Sequence, residues 1–184
     1  MTIPELRPAV AALIDDTVAM RRDLHTHAEL STEEHRTQQV ILDRLTALGL
    51  EDVRGIADTG VTAIVRGGKA GPNLLWRADI DGLPLMEETG LPFASTNGAM
   101  HACGHDGHVA IGLSLAKVVQ DARADLAGTV RFAFQPAEER VGGAKRMIDA
   151  GVMSDPRVDR AFGLHLWASS PTGEILIVPG PIFA

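Results

Sequence analysis

From Met100 to His108 the chain reads Met-His-Ala-Cys-Gly-His-Asp-Gly-His, so its single cysteine, Cys103, stands among His101, His105 and His108. Thiolate and imidazole are the preferred donors to zinc, and Gly104 and Gly107 permit the tight backbone path that could bring them together. A lone cysteine is usually a small buried apolar residue. Three neighbouring histidines, at a point where a loop enters a helix, favour a metal site instead. A second segment, Gln135-Pro136-Ala137-Glu138-Glu139, sets two adjacent carboxylates directly after a Phe-rich run. Alone they would mark a solvated turn. At the carboxyl end of a buried strand, where α/β proteins gather ligands, one carboxylate could bind metal while its neighbour handles a water proton. His165, in Gly163-Leu164-His165-Leu166-Trp167, and the pair Asp79 and Asp81, ahead of Gly82-Leu83-Pro84, also close apolar runs. Their ordinary explanations are a satisfied core histidine and an acidic turn.

These segments share one feature: each falls where a strand is expected to stop. Strands are expected over residues 61–65, 73–78, 129–134, 158–164 and 174–178, and the run Leu74-Leu75-Trp76 suits a central position. Apolar residues at helical spacing suggest a helix from residue 3 to about 24. Ser31 followed by Glu34 has the pattern of a capping box opening a second helix that Gly49 ends after Leu48. Further helices are expected from 105 to about 119 and over 142–150. Strands alternating with helices imply an α/β domain on a largely parallel sheet. Such a sheet delivers Asp79, Asp81, Glu138, Glu139 and His165 to one rim. Cys103 and His105 would enter that rim from a helix N-terminus, whose dipole favours a thiolate. Donors of mixed sulfur, nitrogen and oxygen type suit zinc, manganese or cobalt better than magnesium or calcium.

Composition narrows the function classes. With 45% hydrophobic residues among 184, the chain can build a core, so disorder is excluded. A net charge of −7 argues against a nucleic-acid partner, which calls for a basic face. No stretch approaches the roughly 20 apolar residues of a membrane span, and the N-terminus lacks the pattern of a signal peptide. One cysteine allows no internal disulfide, so a reducing compartment, by default the cytoplasm, is expected.

Five ordered blocks, RRDLHTHAELSTEE, RADIDGLP, MHACGHDGH, QPAEE with GGAKRMIDAG, and GLHLW followed by PTGEILIVPGPIFA, cover essentially the whole chain. Together they resemble the aminoacylase/carboxypeptidase family of two-metal exopeptidases and deacylases. The similarity is greatest to the branch of hippurate hydrolase, N-acetyl-diaminopimelate deacetylase and auxin-conjugate amidohydrolases. Ala28 departs from it, standing where the family has proline. The resemblance implies a three-layer helix/sheet/helix, zinc-exopeptidase-like catalytic domain, with residues 1–184 as its N-terminal part. An inserted dimerisation and lid domain, and a C-terminal part carrying a further metal-binding histidine, would follow Ala184. It implies two divalent ions (zinc, manganese, cobalt or nickel) bridged by Cys103, with His105 and His165 on one and Glu139 on the other. Glu138 would be the general base, and Asp81 the catalytic-site carboxylate that orients a ligand histidine. Asp79 occupies the slot of a metal-binding histidine in related branches, a role His105 takes over. His25 and His27 have no ligand role, His101 and His108 support or pack, and His35 lies on the surface.

The implied activity is hydrolysis of N-acyl amino acids, hippurate-like or N-acetylated, by a metal-activated water. No nucleic acid or membrane takes part, and the family's homodimer forms through the domain not present here. Two other readings fit some of the same residues. Cys103 could be a nucleophile with His105 or His165 as its base, or the chain could be a non-catalytic metal-binding remnant with a sticky surface near residues 176–183.

Overall fold

The computed structural model describes residues 3–140, 142–177 and 179–180. In chain order the elements are α1 (Ile3–Ala11), α2 (Ile14–Thr26), α3 (His35–Ala47), β1 (Glu51–Ile56), β2 (Gly60–Arg66), β3 (Lys69–Asp79), α4 (His105–Asp121), β4 (Ala127–Gln135), α5 (Gly143–Asp149) and β5 (Arg160–Gly163). The five strands lie in the order β1-β2-β4-β3-β5. The sheet is mixed rather than largely parallel: β3 runs parallel to β4 and β5, whereas β1–β2 and β2–β4 are antiparallel. The parallel half alone carries the site, because only there do successive strands end at the same rim.

Alternation along each strand divides the core. Val61, Ala63, Val65, Val130, Phe132, Phe134 and Ala78 face Met20, Leu24, Ile41, Leu45, Val109 and Leu113 from the helices. The intervening Leu75 and Ala133 face the other way, joining Ile56, Met147 and Val152 beneath α5. Helices therefore cover both faces of the sheet, in keeping with the α/β expectation.

Four local expectations change. The first helix is broken at residues 12–13, where the Leu13 N–H bonds to Val10 O in a tighter turn and Thr17 Oγ1 joins its own N–H on Leu13 O. Strand β1 was not foreseen, being polar and mostly exposed. The hairpin to β2 turns through Ala57 and Asp58, whose φ angles of 52° and 68° do the work usually signalled by Asn-Gly. Residues 174–177 form no strand and are exposed, Ile175 and Ile177 at 87%; extended backbone needs a paired neighbour, and among the described residues none pairs with it. Val178 and Phe183 lie outside the described residues. The capping box is also absent: Glu34, not Ser31, precedes α3 and makes no cap bond, and the Glu29 carboxylate accepts from the Arg36 and Thr37 N–H groups instead. Among the described residues no helix is long and apolar enough to cross a membrane.

Candidate metal centre

β3 ends at Asp79, β4 runs into the Glu138–Glu139 turn, and β5 into His165, so three parallel strand ends meet above the first turn of α4. Gly104, at φ 86°, turns the chain sharply enough for Cys103 to sit beside the helix start that carries His105. Donor atoms of Cys103, His105 and His165 lie within 4.8 Å of one another, and so do those of His105, Glu138 and Glu139. All of the metal candidates therefore converge on His105.

The hydrogen bonds decide which lone pairs are available. His105 is fully buried, and its Nδ1 lies 2.9 Å from Asp81 O and 3.2 Å from Asp81 Oδ1. A carbonyl oxygen only accepts, so Nδ1 carries the proton and Nε2 presents its lone pair. Among the described residues that buried Nε2 has no hydrogen-bond partner, and neither does Glu139 Oε1. The nearest acidic groups to Nε2 are Asp79 Oδ2 at 3.5 Å and Glu138 Oε2 and Glu139 Oε1, each at 3.9 Å. His165 follows the same logic: Nδ1–H donates to Leu166 O at 2.7 Å, and Nε2 faces Cys103 Sγ at 3.4 Å. It is exposed, which removes the core-histidine explanation.

Carboxylates outnumber cations at the site, where Arg77 pairs with Asp79 at 2.7 Å. Burial raises the Cys103 thiol, and Glu139, Glu138 and Asp79 raise it further, to about 11. The expected help from the helix N-terminus is outweighed. Burial alone would lower His105, but its bond to Asp81 and the charges of Asp79, Asp81 and Glu139 raise it. Burial alone would raise Asp81, yet bonds from His105, Ser31 and the Glu139 N–H hold it down to about 2. Two buried carboxylates and two partly exposed ones thus surround unpartnered nitrogen and oxygen donors. A divalent ion fits that set, and bound metal would take the place of the thiol proton. The Cys103–His165 contact also has the shape of a thiol nucleophile with its base. Carboxylates pressed around the thiol oppose the thiolate that such chemistry requires, so the metal reading is favoured.

Sequence reasoning missed the braces beneath the site. Glu34, 0% exposed, accepts from the Ala137 N–H at 2.8 Å and from the Thr59 hydroxyl. Asp81 accepts from the Glu139 N–H at 3.0 Å and from Ser31 Oγ at 2.5 Å. Two buried carboxylates thus pin alternate amides of the Glu138 loop, holding Ala137 at φ 49°. The loop is also pressed from below: a Cβ on Gly143 would lie 1.7 Å from Pro136 O. Glu34→Ala should cost roughly 2–4 kcal/mol by stranding two buried donors, read as a lower urea midpoint at unchanged slope. Glu34→Gln, which keeps an acceptor for Ala137, should lose less than half as much. An alanine variant as stable as the parent would show that the brace carries no weight.

The remaining histidines separate cleanly. His25 joins Asp106 (2.8 Å) and Glu87 (3.1 Å), tying α2 to α4 and to the 85–100 segment. His101 is buried near His25 and held down to about 4 by burial, while His27 and His35 are exposed.

Known proteins resemble the chain in sequence and fold. The sequence profile of peptidase family M20/M25/M40 matches residues 75–180. The chain is 44% identical over 186 residues to an N-acyl-L-amino acid amidohydrolase of Geobacillus stearothermophilus, covering 100% of this chain and 50% of the relative. It is 46% identical over 170 residues to an N-acetylcysteine deacetylase of Bacillus subtilis, covering 91% and 44%. Among solved structures, a dinuclear metal-binding peptidase of the M20 family from Bacillus subtilis superposes with a TM-score of 0.82 at 44% identity, over 88% of this chain and 45% of that one. The chain spans about half the length of the curated relatives it matches. With the profile covering more than half of the chain and the strand-end cluster inside that span, the chain belongs to peptidase family M20/M25/M40.

Proposed function

We propose that this chain supplies the metal-holding part of an amidohydrolase that cleaves the amide bond of N-acylated amino acids. The observation that carries the proposal is the convergence of thiol, imidazole and carboxylate donors on the buried, unpartnered Nε2 of His105. Cys103, His105 and His165 would hold one ion, and Glu139 a second, with the Cys103 thiolate shared between them. A bound divalent ion lowers the pKa of a water toward neutrality and polarises the amide carbonyl. Asp81 orients His105 by taking its Nδ1–H. Glu138 is more exposed than Glu139, and its nearest ionic partner among the described residues is His105 Nε2, at 3.9 Å. It accepts the water's proton as the carbonyl is attacked and returns it to the departing amine nitrogen.

The two deacylating relatives support an N-acyl amino acid substrate, and the dinuclear neighbour supports a pair of ions. Zinc, manganese, cobalt or nickel would suit these donors. N-acetyl and hippurate-like (N-benzoylglycine) substrates are both consistent with the site. The single cysteine fits a reducing compartment such as the cytoplasm, and a homodimer is expected of the full-length family member rather than of this chain by itself. The test is hydrolysis of N-acetyl and N-benzoyl amino acids before and after exhaustive chelation. Activity should vanish with the metal and return with zinc, manganese, cobalt or nickel. Hydrolysis that survives metal removal would favour the thiol-nucleophile reading instead.

A further inference from the structure

We infer that His108 is a positioning residue that sets His165 as a metal donor, acting through the peptide group of Leu166. The inference rests on His165 being a ligand, as proposed above. His165 is exposed and stands beyond the end of β5, on a segment without regular secondary structure. A donor in that setting loses orientational freedom when it binds, unless something fixes it beforehand.

His108 lies on α4, one turn from His105, and is buried with both ring nitrogens engaged. The Leu166 N–H points at His108 Nε2 over 2.9 Å. An amide N–H only donates, so Nε2 is the acceptor and the ring proton sits on Nδ1. There it donates to Asp79 Oδ1 at 2.5 Å. The other side of the same peptide, Leu166 O, accepts from His165 Nδ1–H at 2.7 Å and leaves His165 Nε2 facing Cys103. The path runs without a gap: Asp79 orients His108, His108 holds the Leu166 amide, and the Leu166 carbonyl selects the tautomer of His165. The two rings also meet edge to face, with centroids 4.8 Å apart. The Leu166 side chain docks over the first turn of α4, where a Cβ on Gly107 would lie 2.4 Å from Leu166 Cδ1.

Asp79, His105 and His108 also offer three donor atoms within 4.8 Å of one another. With Nδ1 protonated toward Asp79 and Nε2 accepting from Leu166, His108 has no lone pair left for an ion. A packing role alone would tolerate a ring of similar size, which the positioning role does not.

The experiment measures zinc affinity of the full chain by competition with a chromophoric chelator, in the parent and in His165→Ala, His108→Phe, His108→Gln and the His108→Phe/His165→Ala double variant. His108→Phe should weaken zinc roughly 10–100-fold, the usual consequence of losing an outer partner of a ligand. The double variant should bind no more weakly than His165→Ala alone, because both changes remove the same donor. His108→Gln places an amide oxygen near the Nε2 position and should recover most of the affinity. Parent-like affinity in His108→Phe, or losses that add in the double variant, would overturn the inference while leaving His165 a ligand. Unchanged affinity in His165→Ala would remove the proposed ligand set and this inference with it. Nitrogen-15 NMR of the parent keeps the test open should the phenylalanine variant fail to fold. His108 should show an Nδ1–H tautomer that zinc does not shift, and a zinc-shifted or Nε2–H signal would refute it.

Discussion

Replacing Glu138 by glutamine is expected to leave metal binding intact and to cut turnover by roughly 10²–10⁴-fold, the usual contribution of a general base. The substitution keeps shape and volume and removes only the ability to take a proton. Glu138 is the more exposed of the adjacent carboxylates, with a side chain at 38% against 20% for Glu139, so the change should cost little stability. It also leaves the Ala137 and Glu139 amides on Glu34 and Asp81, so the loop keeps its path. The check is kcat beside metal content in active enzyme. A variant with parent-like turnover would take the base role away from Glu138; one that has lost its metal would make Glu138 a ligand instead.

Cys103→Ala should be the most damaging single change to the metal centre. In the proposed ligand set the Cys103 thiolate would be shared between the two ions, so its removal would subtract a ligand from each. Zinc affinity should fall by more than the roughly 10–100-fold that follows loss of an outer partner. The fold should survive, since Cys103 is only partly buried and belongs to neither core cluster. Calorimetric zinc titration alongside a thermal melt separates the two effects. A variant that melts like the parent and binds zinc as tightly would exclude the thiolate from the site.

Much of this centre was legible in the sequence because its residues occupy strand ends. Asp79, Glu138, Glu139 and His165 each follow an apolar run, and parallel strands bring such ends together. That argument survived the correction of the sheet to a mixed one, since β3, β4 and β5 form its parallel half. The braces were not legible. Ser31 and Glu34 have the spacing of a capping box, yet Ser31 reaches Asp81, 50 positions away, and Glu34 reaches Ala137, 103 positions away. Local spacing cannot reveal a partner that only tertiary folding supplies. The acidic surroundings of Cys103 were hidden for the same reason: the helix start is visible in sequence, but the carboxylates crowding the thiol come from β3 and the turn after β4. β1 escaped notice because its hairpin places Ala57, rather than glycine or asparagine, in the left-handed region. His108 was read as a packing or supporting residue, and only the position of the Leu166 amide gives it a specific task.

X-ray absorption at the zinc edge of the zinc-loaded chain tests the shared cation site most directly, with Cys103→Ala as its control. The account predicts sulfur at about 2.3 Å beside nitrogen and oxygen at about 2.0–2.2 Å, with the sulfur signal absent from the variant. A spectrum of nitrogen and oxygen donors alone in the parent chain would contradict it.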